Sequence, residues 1–458
     1  MDELTSQSAT KLAEMICTRA ISPVEVVSAH LQRIERMNPS LNAIVTLAPD
    51  ALERAREAET IIMRGGQVGP LHGVPLTIKD TIETQGLRTT SGSRILKDFI
   101  PTKDATVVAR LKTAGAIILG KTNTPEMAIP YETDNPVFGR TNNPHDVLRT
   151  PGGSSGGEAA AIAAGLSPAG IGSDLSGSIR VPAHFCGIAG LKPSSGRVPM
   201  DGHIPIAALP LSIGACIGPM ARRVEDLSLL FQVIADPKAP SDHKPFVVSS
   251  DYNLRGLRAA WYVNDGVAPV TDETSRAVKA VAAALSDAGA ETFEAAPPSI
   301  SEGPQLWIEL FSTASMDQLR EFYRGHEDEA GQTVQSLLAV PAESNAGIRD
   351  LRAAIHKRDR LRGSLLEWMA QTPIIIAPVG AAPAFPHGTR RIDLNGAKLS
   401  PFRAFSYCQA YNVFDLPSVC VPAGHSPEGL PIGVQIVGRP DEDEFVLAVA
   451  AICQNRLR

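Results

Sequence analysis

Residues 152–199 read GGSSGGEAAAIAAGLSPAGIGSDLSGSIRVPAHFCGIAGLKPSSGRVP. Two Gly/Ser clusters, Gly152 to Gly157 and Gly172 to Ser178, bracket a segment whose pattern predicts a helix after Gly157. The wider stretch from Pro130 to Pro219 is rich in Gly, Ser and Pro, yet it is neither repetitive nor charged. That combination describes long ordered loops, which are common places for function, better than it describes low-complexity disorder. On its N-terminal side strand and helix alternate: GVPLTIK (73–79), a helix over 104–114, and AIIL (116–119). On its C-terminal side PIIIAP, SVCVP and GVQIV return as apolar strand runs. The rhythm is that of the α/β class, a single large domain with a mixed central β-sheet covered by helices.

The ends of the chain fill in this plan. Two N-terminal helices are expected, the second opened by Ser22 as N-cap, Pro23 and the capping-box Glu25, with Val24, Val27, Leu31 and Ile34 on one face. A third runs from about Ala51 to Arg64 and stops at Gly65 and Gly66. DPKAPSDHK (236–244) has linker composition, followed by LRAAWYV, a helix over 272–288 and helical stretches at about 303–325 and 345–369. The expected parts are therefore N-terminal helices (1–64), a core with the Gly/Ser clusters (65–235), a helical elaboration (245–370) and a C-terminal return to the sheet (371–458), all within one domain.

Composition narrows the function. The chain has 458 residues, 43% of them apolar, with a net charge of -6 and no basic run, so a nucleic-acid partner is not expected. No apolar stretch approaches a membrane span, and the opening MDELTSQSATKLAEMI has no signal-peptide pattern, which points to a cytoplasmic protein. The six cysteines are scattered, and neither they nor the histidines show metal-ligand spacing, so neither a disulfide framework nor a metal site is expected.

Three short motifs compete for attention. GAIILGKT (115–122) fits the phosphate-loop pattern, but its intervening AIIL is itself a strand and Gly115 stands where a helix C-cap belongs. Gly170 and Gly172 begin a dinucleotide fingerprint that fails at Leu175. Gly152 to Gly156 fits GxSxG, but the preceding NNPHDVLRTP is no strand, as a nucleophile elbow requires, although His184 and His203 are among several imidazoles on offer.

A larger constellation carries more chemistry: Lys79 at the end of a strand, the loop Gly152 to Gly157, and Gly172 to Arg180 leading to GIAGLKPSSGRVP. A serine hydroxyl is a weak nucleophile unless a base removes its proton, and a lysine held neutral by burial can be that base. Lys79 ends an apolar strand, with Val74, Leu76 and Ile78 before it. The alternative is a lysine whose stem packs while its charge reaches water.

These segments resemble the amidase signature family, serine hydrolases that use a Ser, cis-Ser, Lys triad. The resemblance extends to GVPLTIKD (73–80), LGKTNTPEMA (119–128), NPVFGRTNNP (135–144), LPSVCVPAG (416–424) and GLPIGVQIVG (429–438). It implies Ser178 as the acylated nucleophile, Ser154 as the bridging cis-serine and Lys79 as the base, with no metal or organic cofactor. It further implies an oxyanion site from the amides of Leu175, Ser176, Gly177 and Ser178, an orienting Asp174 and Arg180 pair, whose alternative is a solvated pair, and a backbone substrate contact at Ala128, whose alternative is structural packing. Ser176 departs from the family's usual glycine, and its side chain either narrows the pocket or points away. The implied activity is hydrolysis of a small-molecule amide, ester or carbamate by a monomer or homodimer. A glutaminase-type subunit of a tRNA-dependent amidotransferase is the alternative within the family, and a noncatalytic binding protein on the same scaffold is the alternative outside catalysis. Met127, Tyr131, Phe138, Trp307, Phe311 and Phe385 are candidates to line an apolar pocket.

Overall fold

Lys79 is held where it is because PLTIK forms β2 (Pro75–Lys79), a strand buried along its whole length. In the computed structural model, which describes residues 2–236, 253–341, 348–394 and 396–457, β2 lies between β3 (Ile117–Thr122) and β4 (Ala169–Asp174), parallel to both. Parallel central strands need apolar residues on both faces. Leu76, Ile78, Ile117, Leu119 and Ile171 supply them.

The sheet has eleven strands among the described residues. Beside β3 lies β1 (Ile44–Leu47), antiparallel at the edge. Beyond β4 come β6 (Cys216–Ala221), β5 (Ala189–Lys192), β12 (Ser418–His425), β13 (Pro431–Val437), β9 (Ile374–Pro378), β7 (Arg258–Trp261) and β8 (Glu291–Glu294). The pairings from β4 to β9 are antiparallel, and β9, β7 and β8 run parallel. A hairpin of β10 (Ile392–Leu394) and β11 (Ala397–Leu399) stands apart. One mixed sheet thus organises a single domain, with helices on its faces.

The local chemistry explains several boundaries. Ser22 and Glu25 form the capping box that opens the helix Pro23–Leu41. A further short helix, Asp2–Thr5, precedes the N-terminal pair expected from the pattern. The segment expected as a helical elaboration also supplies β7 and β8, because LRAAWYV pairs with β9 rather than joining the helices around it. The helix Asp272–Asp287 packs its Val278, Val281 and Leu285 into the main core. From residue 237 on, the linker expected at 236–244 lies outside the described residues, as does the start of the helical stretch expected at 345. No helix among the described residues is long and apolar enough to cross a membrane.

Gly120 and Lys121 continue β3, so the GAIILGKT stretch contains a strand where a phosphate loop would be. The Lys121 ammonium donates to the Ile82 carbonyl (2.6 Å) and to Thr89 Oγ1 (2.7 Å), with the Asp80 carboxylate 3.8 Å away. Five of the cysteines are buried free thiols, and Cys17 is exposed.

Candidate active site

The C-terminal ends of β2 and β4 meet at one end of the sheet because the two strands are parallel and adjacent. This brings Lys79 together with Ser173, the penultimate residue of β4. Lys79 Nζ lies 2.6 Å from Ser154 Oγ and 3.0 Å from Ser173 Oγ. Ser154 sits in the loop before the helix Gly156–Ala163 and follows a cis peptide at Gly153. No strand precedes this loop, so the GxSxG match is not a nucleophile elbow. His184, one of the imidazoles available to such an elbow, is engaged elsewhere, bonded to the backbone at Ala382 and Gly433.

Ser178 is placed by the turn between β4 and the helix Arg180–Cys186. Gly177 adopts φ +111°, where a side chain is strained, and a Cβ there would lie 2.8 Å from Cys408 Cβ. The Ser155 amide donates to the Ser178 carbonyl at 3.0 Å, which ties the cis-serine loop to the nucleophile turn. Ser154 and Ser178 line the same cavity, and the Ser178 hydroxyl forms no hydrogen bond among the described residues.

Burial dominates the electrostatics. It lowers the Lys79 ammonium to about 7, against the attraction of Asp174 and Glu158, so neutral amine is plentiful near neutrality. Glu158, which accepts from Thr77 Oγ1 and from Thr122 Oγ1 (2.7 Å), is raised by burial to about 7. Burial also opposes the charged form of Asp174, but Arg180 outweighs it and holds the carboxyl well below the usual carboxylate range.

The Asp174 carboxylate is the hub of the nucleophile turn. It accepts from the amides of Gly177 (2.8 Å) and Ile179 (3.1 Å), from Arg180 Nε (3.1 Å) and Nη2 (3.0 Å), and from Asn412 Nδ2 (3.0 Å). Arg180 in turn donates to Gln435 Oε1 (2.9 Å) and Asn412 Oδ1 (2.6 Å). The pair is fully buried rather than solvated. Of the four amides expected at an oxyanion site, the Gly177 N–H donates to Asp174, while Leu175, Ser176 and Ser178 have no acceptor for theirs among the described residues. Carbonyls on the same turn are held from outside, Leu175 by Trp307 Nε1 (2.8 Å) and Ser176 by the Tyr131 hydroxyl.

A cavity of about 640 Å³ opens over these groups. Met127, Tyr131 and Trp307 line it as expected, and so does Ala128, which follows Met127 in the left-handed region (φ +51° and +59°). Leu175, Ser176, Ile206, Leu319 and Phe402 complete a largely apolar wall, and no lysine or arginine among the described residues lines it. Three expected wall residues lie elsewhere. Phe311 and Phe385 are buried in the core, and Phe138 packs under the Arg88 guanidinium at 4.8 Å. The sequence pattern also missed Ser173, Glu158, His203, Asn412 and Gln435. Ser173, inside the second Gly/Ser cluster, and Glu158, next to the first, carried some signal, and His203 was named only as one of several available imidazoles.

A family model described as Amidase matches residues 25–447 of this chain. An acylamidase of Rhodococcus erythropolis is 35% identical, over 97% of this chain and 94% of that protein. One chain of a glutamyl-tRNA(Gln) amidotransferase of Carboxydothermus hydrogenoformans is also 35% identical, over 98% of this chain and 96% of that one. Among solved structures, a bacterial aryl acylamidase of the amidase signature family superimposes with a TM-score of 0.86 at 29% identity, covering 98% of this chain and 96% of that one.

Proposed function

Because this chain belongs to the amidase signature family and is an amide-hydrolysing enzyme, we propose that it cleaves uncharged carboxylic amides through an acyl-enzyme on Ser178. The observation that carries the reading is the contact of a buried, easily neutralised Lys79 with Ser154 at 2.6 Å, on the floor of the cavity that Ser178 also lines.

Ser178 Oγ attacks the amide carbon while its proton passes to Ser154 Oγ, whose own proton passes to the Lys79 amine. The carbonyl oxygen becomes an oxyanion met by the amides of Leu175, Ser176 and Ser178, each such donor contributing about 3 to 4 kcal/mol in comparable sites. The C–N bond then breaks as the proton returns from Lys79 through Ser154 to the departing nitrogen. Water, deprotonated by the same relay, cleaves the acyl-enzyme and restores Ser178. Activated esters and carbamates pass through the same tetrahedral stage.

The wall favours an apolar acyl or aryl group over glutamine, whose α-carboxylate calls for a cationic partner that the described cavity wall does not supply. The likeness to the amidotransferase chain supports the glutaminase-type reading as the second one. The test compares wild type with Ser178→Ala on p-nitroanilides, p-nitrophenyl esters and nitroaryl carbamates of small, aryl and long-chain acyl groups. Turnover by wild type alone is expected, best with bulky apolar groups. Equal activity in Ser178→Ala would remove the assignment, and activity confined to glutamine in the presence of a partner chain would favour the second reading.

A further inference from the structure

The lysine at the centre of the proposed triad has a second hydrogen-bonded arm that the relay does not use. His203 forms part of the cavity wall, in the loop after β5. Its Nδ1 lies 2.8 Å from the Pro205 carbonyl oxygen and its Nε2 lies 2.9 Å from Ser173 Oγ. Ser173 Oγ is in turn 3.0 Å from Lys79 Nζ.

The chemistry of the groups fixes the direction of every bond in this arm. A carbonyl oxygen only accepts, so Nδ1 carries the proton. Burial keeps the imidazole neutral, lowering it to about 4, so Nε2 is bare and must accept. Ser173 therefore donates its hydroxyl hydrogen to His203 and presents lone pairs to Lys79. The amine must then spend an N–H on Ser173. A neutral amine has a single lone pair, and Ser154 at 2.6 Å is its other hydroxyl partner.

We propose that Ser173 and His203 are positioning residues, which set the polarity of this chain of hydrogen bonds so that the Lys79 lone pair is reserved for the Ser154 hydroxyl. Without the imidazole acceptor, the Ser173 hydroxyl is free to turn and cap the Lys79 lone pair itself. Ser154 would then face an N–H and lose its base. The inference rests on the triad reading above and adds no proton-transfer step to it. The charged or titratable groups that face Lys79 are Asp174, Glu158 and His203 itself.

The test uses the full chain and an acyl p-nitroanilide that wild type hydrolyses, with kcat and KM measured across pH and Ser178 occupancy followed with a fluorophosphonate label. His203→Leu and Ser173→Ala are each expected to lower kcat at least tenfold at nearly unchanged KM, a part of the roughly 10²–10⁴ that general-base catalysis supplies. In both the acid limb of kcat/KM moves to lower pH, since the ammonium loses an acceptor or the free amine gains a donor. His203→Gln and Ser173→Thr, which keep an acceptor and a hydroxyl at those places, are expected to recover most of the loss. Unchanged kcat, a loss confined to KM, or Gln and Thr variants as impaired as Leu and Ala would overturn the proposal. Should His203→Leu fold poorly, the Ser173 pair decides. A wild type that neither turns over nor labels would overturn the triad reading itself, whereas an active, labelled wild type with unaffected variants overturns only this inference.

Discussion

Between pH 6 and pH 8, kcat/KM for an unactivated amide is expected to rise about tenfold, and the rise belongs to Lys79. Burial lowers its ammonium to about 7, so the neutral, proton-accepting fraction is about 9% at pH 6 and about 91% at pH 8. A solvated lysine would be neutral in only about 0.03% of molecules at pH 7, so burial multiplies the available base more than a thousandfold. The direction follows from the active form being the unprotonated one: activity falls as pH drops through the lysine's range. His203 and His184, both lowered by burial to about 4, are outside that window. Glu158 is within it, raised by burial to about 7, and the two groups titrate jointly. Glu158→Gln separates them. It removes one of the attractions that hold the lysine up, so the limb should survive and move to lower pH. In Lys79→Ala the limb should vanish, leaving a slow residual rate. The assay is initial-rate hydrolysis of an acyl anilide at substrate concentrations well below KM, since kcat/KM reports the free enzyme. A limb centred above pH 9, or one that persists in Lys79→Ala, would refute the reasoning.

Other expectations concern the turn that carries Ser178. Arg180→Met leaves the buried Asp174 carboxylate without its ion partner and should cost about 3 to 5 kcal/mol in urea unfolding, with Asp174→Asn recovering part of it in the double variant; a loss under about 1 kcal/mol would contradict the hub described for Asp174. Gly177→Ala sets a Cβ 2.8 Å from Cys408 Cβ at φ +111°, so it should destabilise by roughly 1 to 3 kcal/mol and depress kcat, seen by thermal unfolding alongside kinetics. Tyr131→Phe removes the donor that holds the Ser176 carbonyl and should lower stability by about 1 to 3 kcal/mol, with kcat falling more than KM changes.

The features legible without any structure are local or repetitive in character. The capping box at Ser22 and Glu25, the apolar strand ending at Lys79 and the C-terminal strand runs follow from side-chain chemistry a few residues apart, and each is where the pattern put it. The Gly/Ser clusters marked the two loops, but it was the family resemblance that singled out Ser154 and Ser178 within them. Other neighbours are made by the fold. Ser173 meets Lys79 from 94 positions away, His203 meets Ser173 from 30, and Asn412 and Gln435 reach Arg180 across 232 and 255. No periodicity marks such partners, since their types are ordinary and the strand order alone makes them neighbours. The same holds for the cavity wall. Trp307 faces the site while Phe311, four residues on, is buried in the core, because their helical segment packs on the helices Gln409–Val413 and Ile348–Met369, a contact that only the fold creates. The Gly177 amide, expected at the oxyanion, donates to a carboxylate only three residues before it, because Arg180 and Asn412 hold Asp174 in place to receive it.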